Sequence, residues 1–62
     1  MFKVICFKKH GEYYEKRIYL VKSYDKYIND HNEVFIILEF NEGNRITLAE
    51  KVFDEIEIKP EY

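Results

Sequence analysis

Cysteine, glycine and proline are scarce in this 62-residue sequence, which has one cysteine, one proline, two glycines and no tryptophan. Because Cys6 is the only cysteine, an intrachain disulfide is excluded. Structural zinc usually takes four Cys or His ligands in close pairs, and only Cys6, His10 and His31 are present. The two glycines, Gly11 and Gly43, stand too far apart to form a phosphate-binding loop. We therefore expect neither a metal nor a cofactor.

Long apolar segments are also missing. No run approaches the roughly 20 residues that a membrane-spanning helix requires, so we expect no membrane association. Residues 1–7 lack the charged, apolar and small-residue parts of a secretory signal. Together with a lone cysteine, which suits a reducing compartment, these features predict a cytoplasmic protein.

Apolar and aromatic residues are abundant: 47% of the chain is hydrophobic, and it contains six tyrosines and five phenylalanines. This composition is typical of a globular domain and not of a disordered segment. We predict a single domain over residues 1–62. A domain of this size buries only about 60% of its unfolded surface, so it often needs reinforcement. With disulfides and metals excluded, self-association or tight packing must supply it.

Short alternating runs separated by turn residues predict an all-β fold with about five antiparallel strands in a meander. The predicted strands cover residues 2–8, 13–22, 34–40, 45–49 and 54–59. We expect them to form a small SH3-like or OB-like barrel, or an open sheet completed by dimerisation. A bend or bulge is expected near Lys16 and Arg17, because the second strand alternates poorly there.

Two segments admit both a helix and a strand. In residues 23–32, Ser23 could begin a short helix, or Lys26, Tyr27 and Ile28 could extend a strand into a turn at 29–32; the Asn and Asp residues favour the turn. In residues 48–56, apolar residues stand at helical spacing, but a short turn at 50–52 followed by a strand also fits. We prefer the turn in the first segment and the short turn followed by a strand in the second.

The most informative stretch is the predicted strand 34–40, because both of its faces are apolar. Successive side chains of a strand point to opposite faces. One face carries Val34, Ile36, Leu38 and Phe40, while Phe35 and Ile37 lie on the other. An antiparallel sheet usually exposes one polar face to water. The second face is therefore predicted to meet a barrel wall, a second copy of the chain or another protein.

Similar excess apolar residues occur in the other strands, and they predict a protein–protein interface. The candidate interface residues are Ile5, Phe7, Tyr19, Val21, Phe35 and Ile37. A homodimer is the simplest outcome, since dimers are the commonest oligomers. We expect the partners to be a second copy of the chain and an unidentified protein target.

Nucleic-acid binding is the alternative. The first 31 residues carry seven Lys or Arg against four Asp or Glu, and the remaining 31 carry three against eight. Aromatic side chains flanked by basic ones bind single strands in small barrels. The candidate residues are Lys9, Tyr14, Lys16, Arg17 and Lys22. The net charge of −2 argues against this function, because phosphate contacts favour a basic domain.

A catalytic site is not predicted. Ser23, Asp25, His10 and His31 include the residue types of a nucleophile, a base and an orienting acid. Their spacing, however, shows no glycine-flanked nucleophile turn, and a chain of this size has little depth from which to exclude water.

In its length, its richness in Lys, Glu, Ile, Tyr and Asn, and its succession of strand, glycine turn and strand ending at residues 53–58, the chain resembles short accessory proteins of phages that infect low-GC bacteria. The resemblance implies a protein that binds and inhibits one protein of the bacterial host. The targets of such inhibitors include proteins of defence systems. The sequence thus predicts a binding protein that works as a homodimer.

Overall fold

The computed structural model describes residues 1–61, which form six β-strands and one 3₁₀ turn arranged as two antiparallel sheets. The elements are β1 (Phe2–His10), β2 (Tyr13–Val21), β3 (Ser23–Ile28), β4 (Val34–Glu39), β5 (Arg45–Ala49), the 3₁₀ turn (Glu50–Val52) and β6 (Glu55–Pro60). The all-β prediction is confirmed. No helix in the described part of the chain is long and apolar enough to cross a membrane.

The first sheet has the strand order β2-β1-β6. A two-residue loop joins β1 to β2, and its first residue, Gly11, has φ of 63°, as the first central position of a type II′ turn requires. This loop pairs His10 with Tyr13 and fixes the register of the whole hairpin. On the other side, β6 runs antiparallel to β1 and pairs Ile58 with Val4.

The second sheet has the order β3-β4-β5. In the loop between β3 and β4, the Asn29 side-chain oxygen accepts hydrogen bonds of 2.9 Å from the backbone N–H groups of His31 and Glu33. Asn32 takes the left-handed conformation that asparagine tolerates, with φ of 61°. The preferred turn at residues 29–32 is confirmed, but the residues before it form a strand of their own, β3, which the five predicted strands do not include.

A single residue, Lys22, connects the two sheets between β2 and β3. Its backbone N–H donates to the Glu39 carbonyl at 2.8 Å. The hydrogen-bonding partner of the chain therefore changes from β1 to β4 at this one residue. The bend expected near Lys16 and Arg17 is therefore misplaced. Those residues pair regularly with β1, and the chain turns only where its hydrogen-bonding partner changes.

The 3₁₀ turn makes the second connection between the sheets, from β5 to β6. The Phe53 N–H donates to the Glu50 carbonyl at 3.1 Å, and the Asp54 N–H donates to the Phe7 carbonyl at 2.8 Å. The expected turn at 50–52 and final strand are confirmed. Because the two sheets are hydrogen-bonded separately, the fold fits the open-sheet alternative better than a continuous barrel.

The core lies between the two sheets. Its fully or nearly buried members are Val4, Cys6, Val21, Ile36, Leu38 and Leu48. Partly buried side chains surround them: Phe2, Tyr19, Phe40, Ile46, Phe53, Ile56 and Ile58. The predicted inward orientation of Ile36, Leu38 and Leu48 is confirmed.

Tyr19 and Val21 belong to this core, and the expectation that they face outward is wrong. Val21 is fully buried, and the Tyr19 ring lies 6.3 Å from the Phe40 ring, centroid to centroid. The hairpin register explains the error, because it pairs Val21 with Phe2 and Tyr19 with Val4. Directly paired residues share a face of the sheet, and that face is the inner one.

Candidate interaction surfaces

The side of the first sheet that faces away from the core carries a cluster of apolar side chains, which we call the first outer face: Ile5, Phe7, Ile18 and Leu20. Ile5 pairs directly with Ile18, and Leu20 pairs with Lys3 at the next outward-facing position. Ile18 is 50% exposed and Leu20 53% exposed, whereas Ile5 is only 6% exposed because its neighbours cover it. Two large aliphatic side chains thus meet solvent side by side on one surface.

Opposite charges flank the first outer face. Phe7 pairs with Lys16 of β2 on one side and with Glu55 of β6 on the other, so the three side chains lie in one row across the sheet. The Lys16 ammonium nitrogen is 5.9 Å from the centre of the Phe7 ring. Within this row, the β2 edge is therefore positive and the β6 edge is negative.

The corresponding side of the second sheet carries the second outer face, made of Phe35, Ile37 and Tyr27. Phe35 and Ile37 are half-buried and point away from the core, as the alternation of residues 34–40 predicts. The Tyr27 ring lies 5.8 Å from the Phe35 ring and covers part of it. Ile37 sits between Asp25 and Thr47, so polar side chains flank it on both neighbouring strands.

Sequence reasoning missed Ile18 and Leu20, the most exposed aliphatic residues of the first outer face. Both alternating sets of β2 are apolar near its end, so periodicity alone could not choose between them. The available signal was the loop between β1 and β2. A two-residue loop with Gly11 first fixes the register and thereby places Ile18 and Leu20 outside.

The candidate nucleic-acid residues do not form one patch. Lys9, Tyr14 and Lys16 share the outer side of the first sheet. Arg17 lies on the opposite side of β2, where its guanidinium donates to the Glu15 carboxylate. Lys22 occupies the bend between the sheets, with its ammonium nitrogen 3.8 Å from a carboxylate oxygen of Glu39.

A cleft of about 770 Å³ opens between the two sheets, where β3 and β6 do not meet. Its apolar lining comes from Tyr24, Val34, Ile36, Phe53, Ile56 and Ile58. Tyr24 is 43% exposed, although it points to the same side of β3 as the core. The inner surface of the second sheet is thus incompletely covered at its β3 edge.

Charged side chains surround the mouth of the cleft: Lys26, Glu33, Glu50, Lys51, Asp54 and Glu55. Glu33 forms an ion pair with Lys51 and accepts a hydrogen bond of 3.0 Å from the Asn29 side-chain amide. The contact with Lys51 lowers the pKa of the Glu33 carboxyl the most, and the hydrogen bond from Asn29 lowers it further. The Asp54 carboxylate accepts a hydrogen bond from the Lys9 backbone N–H. Four acids and two lysines leave the mouth with a net negative charge.

The residue types considered for catalysis and metal binding lie on separate elements. His10 stacks on Tyr13 at the first hairpin, and its Nε2 is 2.9 Å from a Glu15 oxygen. The hydrogen bond from Arg17 lowers the pKa of the Glu15 carboxyl the most, and the contact with His10 lowers it by a smaller amount. Cys6 is buried in the core, and burial raises the pKa of its thiol. Within residues 1–61 no three His, Cys, Asp or Glu side chains come together as metal ligands.

Comparisons of this chain with protein-family models, with curated proteins and with solved structures gave no significant match.

Proposed function

We propose that this protein acts by protein–protein interaction and that it works as a homodimer joined through the first outer face. The observation that carries the proposal is the pair Ile18 and Leu20, each about half exposed on a sheet surface beside Ile5 and Phe7. Contiguous exposed apolar surface on a small protein is typical of an interaction site. Covering it also provides the reinforcement that so small a core needs.

The charges beside this face suit a second copy. A twofold axis parallel to β1 exchanges β2 and β6, so β2 of one copy lies opposite β6 of the other at the same level. Lys16 of each copy then faces Glu55 of the other, because both residues pair with Phe7. The Phe7 side chain meets its counterpart in the middle, whereas Ile5 stays covered by its neighbours. Lys3 also meets its counterpart, a repulsion that salt screens. By the same rule Ile18 faces Glu57 and Leu20 faces Lys59 of the other copy, so the two aliphatic side chains pack against the carbon stems of charged ones.

The first test is the mass of the protein in solution, measured by light scattering. We expect twice the chain mass for the natural sequence and a monomer for Ile18→Glu, because the new carboxylate would be buried without a partner. The matched control is Thr47→Glu, which places the same charge at an exposed position on the outer side of the second sheet. A monomeric natural protein, or a dimer that survives Ile18→Glu, would contradict the proposal.

The second test uses charge reversal to identify the twofold arrangement. Lys16→Glu alone and Glu55→Lys alone should each weaken the dimer by about tenfold, because each replaces an attraction by a repulsion. The double variant should restore much of the affinity, since it exchanges the two charges. Additive losses in the double variant would show that Lys16 and Glu55 do not face each other.

A more specific role is proposed from the sequence resemblance alone. Short phage accessory proteins of this style inhibit one protein of the bacterial host, and we propose the same role here, in the host cytoplasm. Such an inhibitor would occlude a surface of its target through the second outer face, which the proposed dimer leaves free. Affinity capture from a bacterial lysate, with Phe35→Asp as the comparison, tests this role. A captured protein that is retained equally by Phe35→Asp would oppose the use of that face.

Nucleic-acid binding has less support, because Arg17 and Lys22 lie apart from Lys9, Tyr14 and Lys16 and contact carboxylates. A salt titration separates the two functions. Affinity for a single-stranded oligonucleotide should fall steeply with salt, whereas an apolar protein interface should respond little.

A further inference from the structure

The edges of β3 and β6 beside the cleft carry backbone groups that no neighbouring strand uses. In an antiparallel pair, residues alternate between those that bond to the partner strand and those that do not. The Glu61 N–H donates to the Met1 carbonyl at 2.9 Å, in register with the β1–β6 pairing. The residues of β6 that bond to β1 therefore stand at two-residue intervals from Glu61, and Ile56 and Ile58 lie between them. Their backbone N–H and C=O groups point away from β1, towards the free edge.

The β6 edge and the cleft are adjacent, so one extended segment could use both. The Ile56 and Ile58 side chains line the cleft, while their backbone groups point along the sheet to its edge. A volume of about 770 Å³ lies within the range of roughly 300–1,000 Å³ that is typical of ligand sites. A strand added to β6 would therefore gain backbone hydrogen bonds and would place every second side chain in the cleft.

Charge determines which segment fits. The side chains of an added strand that point out of the cleft would lie beside the outward-facing residues of β6, which are Glu55, Glu57 and Lys59. Lys59 forms an ion pair with Glu57 at 3.6 Å, and the three residues together remain net negative. The mouth of the cleft is also net negative. Opposite charges on neighbouring strands stabilise a sheet, and like charges destabilise it. A segment whose apolar residues alternate with basic ones fits both requirements. Its apolar side chains enter the cleft, and its basic side chains lie beside the acidic residues of β6.

We propose that the free edge of β6 and the adjoining cleft bind an extended segment of a partner protein in which apolar and basic residues alternate. The segment adds a fourth strand to the first sheet and covers the exposed interior side of β3. The cleft lies on the opposite side of the first sheet from the first outer face, although Glu55 and Glu57 of β6 stand beside both. The proposal gives the chemistry of a second partner, which the dimer proposal does not identify.

The first experiment measures binding of a fluorescein-labelled hexapeptide, Val-Lys-Val-Lys-Val-Lys, by fluorescence anisotropy. The control peptide, Val-Val-Val-Lys-Lys-Lys, has the same composition and charge without the alternation. We expect the alternating peptide to bind at least about tenfold more tightly, because only it can direct apolar side chains inward and cations outward. Equal binding would indicate attraction to a negative surface alone and would overturn the proposal.

Backbone methylation tests strand addition directly. One peptide carries N-methyl groups on its three valines, and a second carries them on its three lysines. A strand bonds to one neighbour through every second residue, so one methylated peptide should lose about tenfold or more in affinity and the other should lose little. Equal behaviour of the two methylated peptides would exclude addition to the edge of β6.

Protein variants then locate the site. Glu57→Lys should weaken binding of the alternating peptide by about tenfold, whereas Glu42→Lys makes the same charge change in the loop between β4 and β5 and should have a small effect. An equal loss in both variants would refute the location. Ile18→Glu should retain peptide binding even if it is monomeric. Because Glu57 also lies beside the first outer face, Glu57→Lys is measured in the monomeric Ile18→Glu background as well, so that the peptide site and the dimer can fail independently.

Discussion

At the scale of single residues, neighbours in sequence have opposite environments. Leu20 is 53% exposed on the first outer face, and Val21, the next residue, is fully buried in the core. A smaller contrast separates Phe35, which is half-buried, from Ile36, which is buried in the core. Since a strand turns alternate side chains to opposite faces, a substitution at one residue tests the core and a substitution at its neighbour tests the surface.

Leu20→Asp and Val21→Asp should therefore have very different effects. Val21→Asp buries an unpaired carboxylate among Leu38 and Val4, and we expect the domain to be unfolded, because its total stability is small. Leu20→Asp should remain folded by circular dichroism and lose the dimer. A folded Val21→Asp together with an unfolded Leu20→Asp would reverse the orientation assigned to β2.

At the scale of elements, short loops hold the strands in register and tie them to one another. Asn29 closes the loop between β3 and β4 by accepting two backbone hydrogen bonds. Glu33, at the end of that loop, pairs with Lys51 of the 3₁₀ turn and joins the second sheet to the connection that leads to β6. This ion pair spans the two elements at the mouth of the cleft.

The Glu33–Lys51 pair should make stability depend on pH. Because the pKa of Glu33 lies below the ordinary value of 4.5 in the folded protein, its contribution is present above that value. It is lost as the pH falls through the folded pKa. Unfolding in urea at a series of pH values should show a smaller loss on acidification for Glu33→Gln than for the natural protein. Glu42→Gln, a matched neutralisation in another loop, should leave the acid dependence unchanged.

At the scale of the whole molecule, six short strands enclose a small core and leave apolar surface uncovered in two places. The first outer face exposes Ile18 and Leu20, and the cleft exposes the inner side of β3. A larger domain would cover such surfaces with its own elements, whereas this chain has no further elements within residues 1–61 to do so. Association is the remaining way to remove them from water.

Stability should therefore depend on protein concentration. The proposed dimer would stabilise the folded state by mass action, so the Tm of the natural protein should rise as its concentration is raised. The monomeric variant Ile18→Glu should melt at one temperature over the same range. Differential scanning calorimetry at several concentrations provides the measurement. A Tm of the natural protein that is independent of concentration would argue against a dimer that is coupled to folding.

The sequence by itself determined the all-β class, the positions of most strands and the outward orientation of Phe35 and Ile37. These features depend on local alternation and on turn residues such as Asn29 and Gly43, whose conformational preferences act over a few residues.

The orientation of β2, the bend at Lys22 and the cleft between β3 and β6 were decided only by the tertiary structure. Both faces of the end of β2 are apolar, so pairing with β1 had to choose which one is buried. The cleft depends on two strands, distant in sequence, that approach without pairing, and periodicity contains no information about that separation.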